Sequence, residues 1–160
     1  MLFRILKMSD KKSTQTPQVT DIWTAEKRSA VMGRIKGSNT KPELMLRSAL
    51  HHAGFRFRVN VKNLPGKPDI VLKKYNLVIF VHGCFWHHHE GCNEAKYPKT
   101  NIEFWRDKIN RTVERDHLKA QLLRDAGWNV LTVWECEIEK NVANVIKFVQ
   151  QFLSHYNTAK

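Results

Sequence analysis

Within Gly83-Cys-Phe-Trp-His-His-His-Glu-Gly-Cys92 the chain places two thiols and three imidazoles in ten residues. Thiolates and imidazoles suit zinc rather than an alkaline-earth ion, and zinc takes four such ligands in a tetrahedron. Cys84, Cys92 and one histidine supply three, and Cys136, just past the apolar run that ends at Trp134, completes a Cys3His set. Spacing does not choose the histidine. With every position filled the site would be structural, and it would fasten a long loop that has few apolar residues of its own. The competing reading, unpaired thiols beside a basic run, leaves all three cysteines of the chain without a use. An odd cysteine count also favours a reducing compartment over a disulfide framework.

A second group of residues points to oxygen-ligand chemistry. Pro68-Asp69 opens an apolar run, and another follows a few residues later and ends at Val81-His82. An Asp at the head of such a hairpin resembles the core of metal-dependent nucleases, in which it holds magnesium beside the scissile phosphate. Magnesium keeps several waters, so one carboxylate, a backbone carbonyl and phosphate oxygens can hold it. The acid and lysine usual on the second strand are missing, since Val81-His82-Gly83 stands there. Histidines must then take over. Imidazole, with an unperturbed pKa of about 6.5, accepts a proton from an attacking water near neutral pH, and His82, His87 and His88 are the candidates. Taken alone, Asp69 is also an ordinary strand-start residue, and Glu43 is explained by helix capping.

Phe85 and Trp86 lie between a proposed metal ligand and the histidines, in a loop with little core to join. Exposed aromatics beside a basic site suit stacking on bases or wedging between base pairs. Trp105, close behind the loop, can join them, whereas Trp128 and Trp134 fall in an apolar strand and read as core.

The elements that must position these groups follow from period and punctuation. Residues 1–20 are polar and basic after a short apolar start and read as a flexible leader, and residues 24–36, carrying Lys27, Arg28, Arg34 and Lys36, as a basic docking helix. Thr40-Lys-Pro-Glu43 is a capping box that opens a helix to about Ala53, closed by Gly54. Residues 55–61 alternate apolar and polar as a half-buried strand does, and 69–72 with 77–81 form a hairpin whose second strand is apolar on both faces and so interior. The stretch 82–100 has no period and reads as a functional loop. Thr100-Asn-Ile-Glu103 repeats the capping pattern before a long helix ending near Gly127, with Phe104, Ile109, Val113, Leu118 and Leu122 as its apolar stripe. A strand over 128–134 and a helix over 141–154 complete a mixed sheet flanked by helices. A chain of 160 residues can bury a core without disulfides, and the formal charge of +12 argues for a polyanionic partner, nucleic acid first. No stretch is long and apolar enough to span a membrane, and the N-terminus lacks the apolar region of a secretory signal, so the cytoplasm is the expected compartment.

Pro65-Gly-Lys-Pro-Asp-Ile-Val71, Val78-Ile-Phe-Val-His-Gly-Cys-Phe-Trp-His-His-His89, Glu103-Phe-Trp105, Val113-Glu-Arg-Asp116 and Gly127-Trp through Val133-Trp-Glu-Cys136 together resemble the very-short-patch repair DNA mismatch endonucleases, over roughly residues 22–138. The resemblance implies an α/β, restriction-endonuclease-like fold, and by length and composition residues 21–160 read as one domain. It implies a magnesium-dependent nick of one strand, 5′ of the T in a T·G mismatch left by deamination of 5-methylcytosine. Asp69 and the Val81 carbonyl would hold magnesium, His87 would be the general base, and His82 and Glu43 would orient water and phosphate. Zinc would sit on Cys84, His89, Cys92 and Cys136. Phe85, Trp86 and Trp105 would wedge beside the mismatch, and Met32 would probe the other groove. The partner implied is mismatched duplex DNA bound by a monomer in the bacterial nucleoid, with contacts to other mismatch-repair proteins. Two other readings compete: a zinc-stabilised DNA-binding module that does not cut, and a restriction-type nuclease acting on undamaged DNA.

Overall fold

The computed structural model describes residues 24–33 and 37–158. The expected leader over 1–20 and the end of the basic helix over 34–36 lie outside the described residues. Helix α1 (Ala25–Gly33) carries the rest of the basic segment. Helix α2 (Lys41–His52) opens where the capping box places it, with Pro42 in the first turn, where a missing N–H is not needed. Glu43 reaches back to accept the Thr40 backbone N–H at 3.4 Å and its hydroxyl at 2.9 Å.

Four strands, β1 (Arg58–Val59), β2 (Ile70–Leu72), β3 (Leu77–His82) and β4 (Asn129–Trp134), form one sheet in the order β1-β2-β3-β4. The first two pairings are antiparallel and β3 pairs β4 in parallel, so the sheet is mixed. A 3-10 turn over Lys73–Tyr75, closed by Asn76 at φ +46, joins β2 to β3. Strand β3 is interior, as its two-sided apolar pattern requires. Helix α3 (Ile102–Asp125) makes the crossover from β3 to β4 and α4 (Glu135–Thr158) follows β4. On one sheet face Ile70, Leu72, Leu77 and Ile79 meet Leu46 and Leu50 of α2 and Ile138, Val145 and Val149 of α4. On the other, Val71 and Val78 meet Leu123 of α3. Among the described residues no helix is long and apolar enough to cross a membrane.

Three expected elements are corrected. The strand over 55–61 shrinks to Arg58–Val59, both exposed. Phe55 and Phe57 do pack on the core, but Asn60 at φ +49 turns the chain away and β2 offers only Ile70 and Val71 as partners. The long helix is capped by Asn101 at φ +52, without a side-chain cap bond, and not by Thr100. Its expected stripe holds at Ile109 and Val113 but is misread at Phe104, Leu118 and Leu122, which are 59%, 61% and 47% exposed. The inward line is Ile109, Val113, Asp116, Ala120 and Leu123, at spacings of four and three, with an acid in its middle. The last helix begins at Glu135, and Asn141 at φ −164 and ψ 91 interrupts it before the expected segment. There Asn141 Oδ1 accepts the Asn144 N–H at 3.2 Å and caps the second half.

Candidate active site and metal centre

Asp69 sits immediately before β2, and its Oδ2 accepts the backbone N–H of Val81 at 2.8 Å. The hairpin thus brings together the carboxylate and the residue expected to supply a carbonyl. No hydrogen bond reaches Oδ1 among the described residues, which leaves one oxygen of a half-buried acid for a hard cation. Burial first of all pushes Asp69 up to about 6, with Glu43 adding to the rise, while the Val81 N–H, Arg47 and His87 oppose it. A carboxyl held so uneasily as an anion fits a site completed by a divalent ion.

Glu43 is only 4% exposed and does more than cap α2. It accepts the Asn39 N–H at 2.9 Å and pairs with Arg47 at 2.7 Å. The same Arg47 nitrogen donates to the Asp69 carbonyl at 3.4 Å, so the guanidinium ties α2 to the start of β2.

His82, at the end of β3, stacks on His87 with centroids 3.8 Å apart and planes within 10°. His87 Nδ1 lies 2.5 Å from Oδ2 of Asp116, the acid in the buried line of α3. Burial drives His82 down to about 4, assisted by His87 and Lys119 and opposed by Asp116, so its ring is neutral at neutral pH. Burial alone would raise Asp116, but the bonded His87 ring and the other nearby positive groups outweigh it and hold the carboxyl below its usual range. Glu43, Asp69, His82, His87, Asp116 and Lys119 line one cleft of about 510 Å³. His88 does not join that cleft. It stacks on Tyr97 at 5.2 Å, with φ +52.

The ligand atoms of Cys84, His89, Cys92 and Cys136 lie within 4.8 Å of one another. Cys84 Sγ and Cys136 Sγ are each 3.4 Å from His89 Nδ1. Of the three histidines in the loop, His89 is the one that the fold brings among the cysteines. Between His89 and Cys92 the chain turns tightly, with the Cys92 N–H donating to the His89 carbonyl at 3.1 Å and Gly91 at φ +74. The His89 ring lies flat on Trp134 at 4.2 Å, and Glu135 Oε1 accepts the Cys84 N–H at 2.8 Å. Burial pushes the Cys84 thiol up to about 12 and raises Cys136 as well. Crowded thiols of this kind, of which Cys84 is buried, become thiolates when a soft cation compensates them, and three thiols with one imidazole form a four-ligand set.

Phe85, Trp86 and Trp105 form a cluster of edge-on and tilted rings, with centroids 5.0, 5.3 and 6.1 Å apart. The Lys108 ammonium stands 5.4 Å from the Trp86 ring and 5.2 Å from that of Trp105. Met32 falls in α1, and its side chain lies outside the described residues.

With this geometry in place, the comparison with known proteins is specific. Residues 20–94 match the family model described as DNA mismatch endonuclease Vsr. The chain is 49% identical over 121 residues to the type II nicking enzyme V.NmeAIP of Neisseria meningitidis, covering 76% of this chain and 86% of the relative. It is 45% identical over 120 residues to DNA mismatch endonuclease Vsr of Escherichia coli, covering 75% and 76%. The chain belongs to the Vsr DNA mismatch endonuclease family. The type II nicking enzyme V.XorIIP of Xanthomonas oryzae is likewise 45% identical over 120 residues, covering 75% of this chain and 88% of the relative.

This Vsr family member also carries site residues that the sequence did not single out. Asp116 was legible only as part of a motif, because an acid inside a helix reads as solvated. Arg47, four residues after Glu43 on the same helix face, had a signal in that i,i+4 spacing. Glu135 and Lys119 join the cleft solely through tertiary packing.

Proposed function

We propose that this chain is a mismatch-specific DNA endonuclease that nicks one strand 5′ of the T in a T·G mismatch. The observation that carries the reading is the pairing of His87 with Asp116 in the cleft that also holds Asp69. With the Asp116 carboxylate accepting a hydrogen bond from the His87 Nδ1–H, the Nε2 atom of His87 is left as the acceptor, and a base in that tautomer takes a proton from an attacking water. His82 stacks on His87 and restrains the ring, while Glu43 and Arg47 hold the Asp69 segment. Magnesium at Asp69 and Val81 would neutralise charge building on the phosphate. Zinc on Cys84, His89, Cys92 and Cys136 would anchor the loop that carries His87, and the fold would be restriction-endonuclease-like.

Phe85, Trp86 and Trp105 act as the wedge, since a mispaired step costs less to open than a paired one. Met32 on α1 contacts the opposite groove. Residues 21–160 work as one endonuclease domain in the bacterial cytoplasm, on nucleoid DNA. The names of the relatives, mismatch endonuclease and type II nicking enzyme, support this reading. A zinc-stabilised module that only binds would have no use for Asp69, His87 and Asp116 in one cleft. The test is a nicking assay on duplexes that differ in one T·G or T·A pair. Single-strand cleavage confined to the mismatch agrees with the proposal, and equal cleavage of paired DNA would make the chain a restriction-type nuclease.

A further inference from the structure

The lysine that metal-dependent nucleases place on the second strand has no counterpart here, where β3 ends in Val81-His82. Two other lysines border the cleft. Lys67 sits on the exposed turn before β2, whereas Lys119 rises half-buried from α3, three residues after Asp116 and on the same helix face. The Lys119 stem is packed in place. A Cβ added to Gly66 would lie 3.1 Å from Lys119 Cδ, 3.2 Å from Lys119 Cβ and 3.0 Å from the Phe80 ring, and Gly66 has φ +75. Only a glycine both adopts that backbone and leaves room for the stem.

The acids around the cleft already have partners: Asp69 the Val81 N–H, Glu43 the Arg47 guanidinium, Asp116 the His87 ring and Glu135 the Cys84 N–H. Lys119 forms no ion pair among the described residues. A cationic side chain that lines the cleft without an ion pair of its own, where the carboxylates already accept other hydrogen bonds and Asp116 is its nearby charge of opposite sign, is matched by an incoming anion.

We propose that Lys119 binds a non-bridging oxygen of the scissile phosphodiester and stabilises the charge that builds on it, supplying from α3 the cation that β3 lacks. This rests on the nicking function proposed above.

The experiment compares wild type with Lys119→Met, which keeps the stem, and Lys119→Arg, which keeps the charge. It measures single-turnover nicking of a T·G duplex, the slope of log binding constant against log salt, and the melting temperature. Loss of one phosphate contact makes the slope shallower by about 0.9, and loss of a charge on the transition state lowers the rate by roughly tenfold or more. Lys119→Met should show both at unchanged melting temperature, with Lys119→Arg recovering most of each. An unchanged slope and rate would overturn the proposal, as would a slope change without a rate change, which puts the contact away from the cleaved bond. A lowered melting temperature with equal losses in the Arg variant would also overturn it, by making Lys119 structural. If the wild type itself does not nick, the nicking function fails, while the salt slope still decides whether Lys119 meets a phosphate.

Discussion

His87 Nδ1 and Asp116 Oδ2 lie 2.5 Å apart, joining the loop after β3 to the centre of α3. The pair fixes the histidine tautomer and the direction of its free nitrogen. Asp116→Asn keeps the size of the side chain but can donate to Nδ1, which favours the wrong tautomer. Single-turnover nicking should then fall by roughly 100- to 10,000-fold, with binding to mismatched duplex changed by less than about threefold. A loss of binding as large as the loss of rate would make Asp116 a structural acid.

The Asp69 carboxyl, at about 6 in the folded chain against an ordinary value of 3.8, gives a pH test. Between those values the folded state binds more protons than the unfolded one, so stability falls as pH rises through the window. Asp69→Asn should stabilise the magnesium-free protein at about pH 7.5 by about 1–3 kcal/mol in urea unfolding, and the gain should vanish by about pH 4. His82, depressed to about 4, acts in the opposite sense: its contribution is complete above about 6.5 and is lost as pH falls towards 4. The Asn variant should therefore lose stability more steeply in acid than the wild type. An Asn variant less stable than wild type at pH 7.5 would mean that Asp69 is a well-stabilised anion in the free protein.

The cluster of Cys84, His89, Cys92 and Cys136 should hold about one zinc per chain. Stripping it with a chelator, or Cys136→Ser, should lower the melting temperature by roughly 5–10 °C, the equivalent of a few kcal/mol at this chain length. Metal-free protein with an undiminished melting temperature would remove the structural role.

Trp86 stands in the aromatic cluster and, with Phe85 and Trp105, is proposed as the wedge. Trp86→Ala should reduce the preference for T·G over T·A duplex by about tenfold, while the salt slope, set by phosphate contacts, stays the same. Equal weakening on both duplexes would return Trp86 to a packing role.

Much of this site was legible in the sequence, for identifiable reasons. Asp69 and Val81 are twelve residues apart but adjacent in space, because the hairpin that joins them has turn residues and apolar runs that fix its register. The thiols were legible because soft ligands close together have few other uses, and the family resemblance supplied His89. Helix α3 was harder to read. Its inward line runs through Asp116, so a search for apolar spacing preferred Leu118 and Leu122, which face solvent. The acid takes a core-facing position because His87 comes from another element to meet it, and nothing local in the sequence records that encounter. The strand over 55–61 failed for a related reason, since period two shows which side chains point inward but not whether a neighbouring strand is long enough to pair with it.

The most direct test of the account is strand nicking of a T·G duplex by wild type and Asp69→Ala, each with magnesium and with the magnesium removed. Wild type with magnesium should cleave one strand at the mismatched T, and neither the variant nor the magnesium-free wild type should cut. Cleavage that survives Asp69→Ala, or proceeds at full rate without magnesium, would contradict it.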